Sequence, residues 1–527
     1  MNQTSIDFIK TLTNGVSEEE TTLLIMNDQF RELLKKPEKI PARLDDLNVR
    51  LQELAKIIQD FRMQPLKIDF INVVSPETDI RIEKSTFIQR FMVTVGNFIA
   101  SFRKDYNRVG EQPDGMGLEK RVLKIWVALP KEYAEALRVM AGEDFTPNTG
   151  ILADTSVMPS GQVAAGGGTN ALILSLVSGN SPDIVIGSDA LTPAELAFRG
   201  SVVDLAGFRD FPEIEKRFIP GIMEPYKISG GVYAIPDRYD FPVMIYRSDI
   251  LNELGITLPD TWDEIYRYLI PVLNQNGMKF YYQSSNAGQH VAQCFLPLLY
   301  QNGGSFYSDD FKESALTTDK AYKAFEQWTR LYTLYGVDSQ ANVYTHFRNG
   351  KVPVAIANFT LYNQILNTAP ELFGKWNITL VPGTMKADGS IDRTFNATST
   401  SSFILKNSKM QEGAWDFLKW WTSADVQRRF GLEIESLIGK TARWNTANTE
   451  AFDMLPWERE HIGIFREQRK WYRDIPSVIG GYYTGRYLLN SWTRTVLGHE
   501  NLIDVLDTSV KAINKEMKVK REEYDIK

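Results

Sequence analysis

The stretch "RVLKIWVALPKEYAEALRVMAGEDFTPNTGILADTSVM", Arg121 to Met158, reads as strand, helix, strand. An apolar run of strand length ends at Pro130, "PKEYAEALRVMAGEDF" has a helical pattern, and "GILADTSVM" is a second strand run. Further along, "NALILSLVSG" reads as a helix and "DIVIG", from Asp183 to Gly187, as a third strand. Strands alternating with helices predict a mainly parallel sheet with right-handed crossovers. Ligands in such sheets sit beyond the carboxyl ends of the strands. The loops singled out are therefore Pro130–Tyr133, Pro159–Gly161 and Ser188–Asp189.

Between the second strand and its helix lies "GQVAAGGGTN", Gly161 to Asn170. A glycine loop before a helix raises the question of a phosphate site. No Lys-Ser/Thr follows these glycines and the dinucleotide spacing is missing, so they read as a turn. Gly439-Lys440-Thr441 fails in the same way, because Ile434 stands where the partner glycine belongs. The chain has no G-x-S-x-G and no H-E-x-x-H. Carboxylate pairs such as Glu433 and Glu435 are expected by chance among 66 acids. Glycoside hydrolysis needs only two placed carboxylates, so a carbohydrate-active enzyme stays open as an alternative.

The 527 residues suffice for two or three packed units, and a formal net charge of -7 gives no electrostatic case for nucleic acid. One cysteine, Cys294, allows no intramolecular disulfide. The four histidines (His290, His346, His461 and His499) have no metal-ligand spacing, and Asp309 and Asp310 read as a solvated turn rather than a calcium site. The 28 Phe, 11 Trp and 22 Tyr are plentiful; most must be core, and a surplus is what a sugar-stacking cleft would use. No run reaches the roughly 18 apolar residues of a membrane span. The start, "MNQTSIDFIKTLTNG", carries no secretory pattern.

Residues from about 17 to 110 read as mainly helical. Leu44, Leu47, Leu51, Leu54, Ile58 and Phe61 alternate steps of three and four, which puts one apolar stripe on a helix. "NRVGEQPDGMGLEK" follows as a linker. Later, Thr261 and Glu264 form a predicted capping box. "TTDKAYKAFEQWTRLYTLYG" predicts a helix with Tyr322, Phe325, Trp328 and Tyr332 on one face and Gly336 as its cap. Trp415, Phe417, Trp420 and Trp421 are assigned to the core.

The ordered set "LILSLVSGNSPDIVIGSD", "AFRGSVVDLAGF", "VYAIPDRYDFPVMIYRSDILNELGITLPDTWDEI", "LLYQNGGSFYSDD" and "GAWDFLKWWTSADVQRRFG" resembles the family-1 extracellular solute-binding proteins of ABC importers. The resemblance runs from about Arg121 to the C-terminus. "ASFRKDYNRVG" and "IPSVIGGYYTGRYLLN" resemble segments of a large Gram-positive subgroup whose members carry a lipoprotein leader. The resemblance implies an extracellular, membrane-anchored protein whose leader is missing from this chain. It implies a two-lobed α/β fold, a type II periplasmic-binding-protein-like clamshell, with an N-terminal helical extension over 1–120. Lobe 1 is expected over 121–240 and 400–440, and lobe 2 over 241–399 and 441–527. The expected function is capture of a carbohydrate, chiefly an oligosaccharide, for delivery to the permease subunits. No catalysis, cofactor, metal or nucleic-acid partner is implied, and the protein is expected to be a monomer. A peptide or other polar solute is the alternative ligand, and a surface protein using the helical region as a docking arm is a third reading.

The same resemblance supplies the candidate contacts. Tyr239, Asp240 and Phe241 lie where the chain crosses between lobes, with Asp240 as the acidic acceptor of sugar hydroxyls. Lys131, Glu132 and Tyr133 follow the first strand, and Ser188 and Asp189 the third. Asn358, Phe359 and Tyr362 stand in the second lobe, with Tyr344 and Arg348 nearby. Thr398 and Ser399, in "NATSTSS", replace a glycine-rich turn with hydroxyls. Trp444 is expected to offer a stacking ring. Tyr482, Tyr483 and Arg486, in "GGYYTGR", are expected on an exposed loop at the cleft rim.

Overall fold

The computed structural model describes residues 121–158, 171–282, 291–338 and 342–524, together with Arg31, Leu34 and Lys35. The chain divides into two compact units, Met1–Gly96 and Asn97–Lys527. The expected N-terminal helices, the linker and the glycine loop from Pro159 to Asn170 lie outside the described residues.

The first sheet contains β1 (Val122–Val127), β2 (Leu152–Val157), β3 (Ile184–Asp189), β4 (Ile235–Asp240) and a late strand, Thr398–Ile404. The second contains β5 (Pro242–Tyr246), β6 (Phe280–Tyr282), β7 (Val354–Asn358) and β8 (Asn377–Thr379); the late strand is thus β9. The orders are β2-β1-β3-β9-β4 and β8-β5-β7-β6. β1 runs parallel to β2 and β3, while β9 is antiparallel to β3 and β4. The carboxyl ends of β1, β3 and β4 therefore share one edge with the start of β9, as the alternating pattern predicts. In the second sheet β7 is antiparallel to β5 and parallel to β6, so Asn358 pairs with Pro242 at the corresponding edge.

Among the described residues the α-helices of eight residues or more are α1 (Lys131–Met140), α2 (Ala171–Ser178), α3 (Leu191–Phe198), α4 (Val291–Gln301), α5 (Asp319–Thr333), α6 (Phe359–Thr368), α7 (Gln411–Trp421), α8 (Ala424–Ile438), α9 (Arg459–Gln468), α10 (Tyr482–Val496) and α11 (Leu502–Glu523). The Thr261–Glu264 capping box forms as predicted. α5 ends at Thr333, three residues before Gly336, whose φ of +66° turns the chain beyond the helix. Trp415, Phe417 and Trp421 are buried, and the half-buried Trp420 donates its Nε1 to Asp144 at 2.7 Å.

The chain passes between the sheets directly, from Asp240 to Pro242. It returns to β9 through Phe395, which bridges to Tyr472. Residues 445–447, placed in the second lobe from sequence, pair with the outer edge of β4: Tyr239 N donates to Asn445 O and Ala447 N to Asp237 O. Tertiary pairing of a short segment leaves no periodic signal in sequence, which is why this excursion was not anticipated.

One buried group fastens the first sheet to its helix layer. The Asp237 carboxylate accepts from Gly187 N at 2.9 Å, Ser402 Oγ at 2.6 Å and Trp421 Nε1 at 2.8 Å. It thereby ties β3, β4, β9 and α7. Gly187 has a φ of +76°, and a Cβ there would fall 2.7 Å from Leu129 Cγ, so the position requires glycine on both counts.

Candidate functional site

The strand-end edge of the first sheet meets the second where Asp240 passes to Pro242. A small pocket of about 40 Å³ lies there, lined by Asp240, Tyr282, Asn358, Phe395, Asn396 and Thr398 among others. Asp240, Asn358 and Thr398 from the sequence reading are thus brought together. Asp240 accepts from Thr360 N at 3.3 Å and Thr360 Oγ1 at 2.9 Å. Burial raises its carboxyl above the usual range, against the lowering pull of Thr360 and of the Arg238 charge. Asn358 is the N-cap of α6, accepting from Leu361 N at 3.2 Å. Replacing Asn358 with Ala should cost about 1 kcal/mol. Urea denaturation would read this, and a loss under a few tenths would show that α6 holds its first turn without the cap.

Asp189 and Ser188 are the last residues of β3 rather than a loop beyond it. The Asp189 carboxylate accepts from Leu191 N and Thr192 N at 2.9 Å and from Thr192 Oγ1 at 3.0 Å, so it fixes the start of α3. Ser188 is fully buried. Thr398 and Ser399 belong to strand β9, not to a turn, and the Ser399 hydroxyl meets the Tyr226 hydroxyl at 2.8 Å. Lys131 and Glu132 are exposed on the first turn of α1. Tyr133 is buried and donates to Ala442 O at 3.4 Å.

Five further predicted aromatic contacts turn out to be core. Tyr239 and Phe241 stack at 5.2 Å and pack with Phe452 and Tyr472, and Phe359 lies 5.8 Å from Phe241. Tyr362 is fully buried, with its hydroxyl 2.9 Å from His461 Nδ1. Trp444 is fully buried between Tyr133 and Phe430, and its Nε1 donates to Gln427 at 2.8 Å. An aromatic residue carries the same letter in a core as in a cleft, and its large apolar area favours the core. Tyr344 donates to Thr368 O at 3.0 Å, and Arg348 is ion-paired with Glu371.

Tyr482 and Tyr483 open α10 instead of lying in an irregular loop. Their ring centroids are 4.0 Å apart and both are half-exposed, while Arg486 is exposed. Burial raises the Tyr482 hydroxyl, with Tyr483, Glu195 and Glu516 adding to it. Glu195 belongs to α3, and Arg199, just beyond α3, lies over the Tyr524 ring at 5.9 Å. Tyr482 therefore lies within electrostatic range of the helix that Asp189 fixes at the end of β3.

Sequence reasoning missed Arg238, Tyr282, Phe395 and Asn396. Arg238 had an available signal: it stands two residues before Asp240 on one strand, hence on the same face. Asn396 lies in the "NATSTSS" stretch, whereas Tyr282 and Phe395 carry no local signal, since they reach the site through the topology.

The profile of the bacterial extracellular solute-binding protein family matches residues 130–428. The chain belongs to this family. An arabinooligosaccharide-binding protein of Halalkalibacterium halodurans is 22% identical over 319 residues, covering 58% of this chain. The match spans 65% of that relative's length. Among solved structures, the sugar-binding protein MalE of Xanthomonas citri aligns with a TM-score of 0.63 at 19% identity, covering 77% of this chain and 100% of its own. The cyclic alpha-maltosyl-1,6-maltose binding protein of Arthrobacter globiformis aligns at 0.61 and 19% identity, covering 76% and 99%. At such identities the likeness establishes the solute-binding-protein fold, two α/β lobes, and this chain has it. Among the described residues no helix is long and apolar enough to cross a membrane.

Proposed function

We propose that this solute-binding protein captures an oligosaccharide between its two lobes and presents it to the permease subunits of an ABC importer, without chemical change to the ligand. The observation that carries this reading is the pair Tyr482–Tyr483. Among the described residues most large rings are buried, while these two adjacent rings stay half-exposed. Sugars present apolar ring faces for such planes and hydroxyls for polar groups such as Asp240, Asn358 and Thr398. The names of the relatives in H. halodurans and A. globiformis point to the same ligand class.

The lobes we assign are the units around the two sheets, close to 121–240 with 400–440, and 241–399 with the remainder to 527; residues 445–447 are the exception. Closure of one lobe on the other would couple affinity to a shape the permease reads. The site of action is outside the membrane, where a lipid anchor holds the protein, and the binding protein acts as a monomer.

The test is a thermal-shift screen against mono- and oligosaccharides, with calorimetry and product analysis on each hit. A ligand at a hundredfold excess over its dissociation constant adds about 2.7 kcal/mol. The expected result is a shift with one glycan class, an unaltered glycan, and at least tenfold weaker binding in Tyr482→Ala/Tyr483→Ala. No shift with any saccharide would overturn the carbohydrate reading, and cleavage would make the protein an enzyme.

A further inference from the structure

At the strand-end edge of the first sheet the hydrogen-bonding groups are out of balance. A site for neutral sugars offers carboxylates as acceptors for hydroxyls. Here both carboxylates at that edge already accept from their own chain: Asp189 from Leu191 and Thr192, Asp240 from Thr360. The donors at the same edge are not matched. Arg238 is half-buried and forms no ion pair among the described residues. Its guanidinium lies 5.8 Å from the centre of the Trp444 ring. It is close enough to lower the carboxyl of Asp240 and the hydroxyl of Tyr133 by its charge. In register, Arg238 pairs with Thr400, and Thr400 pairs with Asp189, so the three stand in one row across β4, β9 and β3. The Thr400 hydroxyl is buried and has no partner.

The carboxylate of this row, Asp189, is engaged by Leu191 and Thr192 and forms no ion pair with Arg238 among the described residues. A guanidinium seated against an indole keeps its planar fork for a bidentate partner, and the partner that fits it best is a carboxylate. We propose that Arg238 is a specificity-determining residue, and that the oligosaccharide carries a carboxylate, as a uronate does, which bonds Arg238 and Thr400. The inference rests on the carbohydrate reading and narrows its substrate class. The chain as a whole is acidic, so attraction to an anion must be local, and such an ion pair at a partly exposed site weakens with salt.

The experiment is calorimetry with matched probes: tri-galacturonic acid, galactotriose, and galactose 1-phosphate as a non-carboxylate anion. The expected result is binding of the uronate at least tenfold tighter than of either comparator, weakening as salt rises. Arg238→Gln should lose that tenfold preference while its unliganded melting temperature stays near the parent's. Arg238→Lys, which keeps the charge but not the fork, should fall between. Equal or tighter binding of galactotriose, with Arg238→Gln unchanged, would overturn the inference and leave the carbohydrate reading standing. Preference for the phosphate would overturn the carboxylate assignment. Failure of all three probes, together with no response across the wider saccharide panel, would overturn the carbohydrate reading and this inference with it.

Discussion

Asp237→Ala should lower stability by about 3 to 5 kcal/mol. The carboxylate is 1% exposed and holds three donors, Gly187 N, Ser402 Oγ and Trp421 Nε1. Each buried donor left without a partner costs about 1 to 3 kcal/mol, and relaxation recovers part of the sum. Burial pushes the Asp237 carboxyl up to about 6, against the lowering effect of the three donors, so the charge itself is costly there. The donors still outweigh the acid's replacement by a methyl group, because alanine satisfies none of them. Asp237→Asn should be milder, since one oxygen still accepts while its amide faces a donor. The reach of the change extends to binding. Asp237 aligns the ends of β3, β4 and β9, which present Asp189, Arg238 with Asp240, and Thr398 with Thr400. Urea denaturation monitored by tryptophan fluorescence would read the loss. A value below 1 kcal/mol would show that water or a rearranged Ser402 replaces the carboxylate.

The strand–helix alternation from Arg121 onward was legible because burial imposes a period on a long element. β1, α1, β2, α2 and β3 all form where their apolar patterns place them. The site was less legible, for two physical reasons. A strand's period tells which residues share a face, and it links Arg238 to Asp240, but it does not say which face meets ligand. Aromatic rings are ambiguous, since Trp444 and Tyr362 are packed on all sides while Tyr482 and Tyr483 are not. Which of these holds depends on what the fold lays over each ring. The Asp240–Pro242 crossing was readable from order along the chain. The pairing of residues 445–447 with β4, and of Tyr472 with Phe395, joins segments far apart in sequence and leaves no local trace.

Raising the pH from 6.5 to 8 should destabilise the protein, and Asp474→Asn should remove most of that loss. Asp474 is 7% exposed, and burial pushes its carboxyl up to about 8, with the Glu224 charge adding to the rise. Its oxygen accepts from Ile475 N at 2.7 Å, its own N–H donates to Glu224 at 2.8 Å, and Tyr300 donates to its carbonyl at 3.2 Å. The adjacent Arg473 is ion-paired with Glu224 instead. The native state therefore keeps a proton that the unfolded chain, with an ordinary carboxyl near 3.9, releases. A raised carboxyl gives stability that is complete below about pH 4 and is lost as pH rises to about 8, after which the dependence is flat. Each pH unit inside that window costs up to about 1.4 kcal/mol, so the interval from 6.5 to 8 costs about 2 kcal/mol. Asp237 contributes with the same sign only up to about 6, and His461 and His346, both depressed by burial, act with the opposite sign through the ordinary histidine range, so each histidine offsets only about a few tenths of a kcal/mol within the interval. Asparagine keeps the acceptor for Ile475 N and cannot ionise, so Asp474→Asn should exceed the parent in stability at pH 8 and approach it at pH 6.5. Because the 472–473 segment pairs with the Phe395 return between the sheets, the ionised parent should also bind ligand differently above pH 8, through a strained hinge rather than through a ligand contact. A parent whose unfolding free energy is flat from 6.5 to 8, or an Asp474→Asn protein destabilised equally at both, would show that this carboxyl is ionised in the native state and that water reaches it.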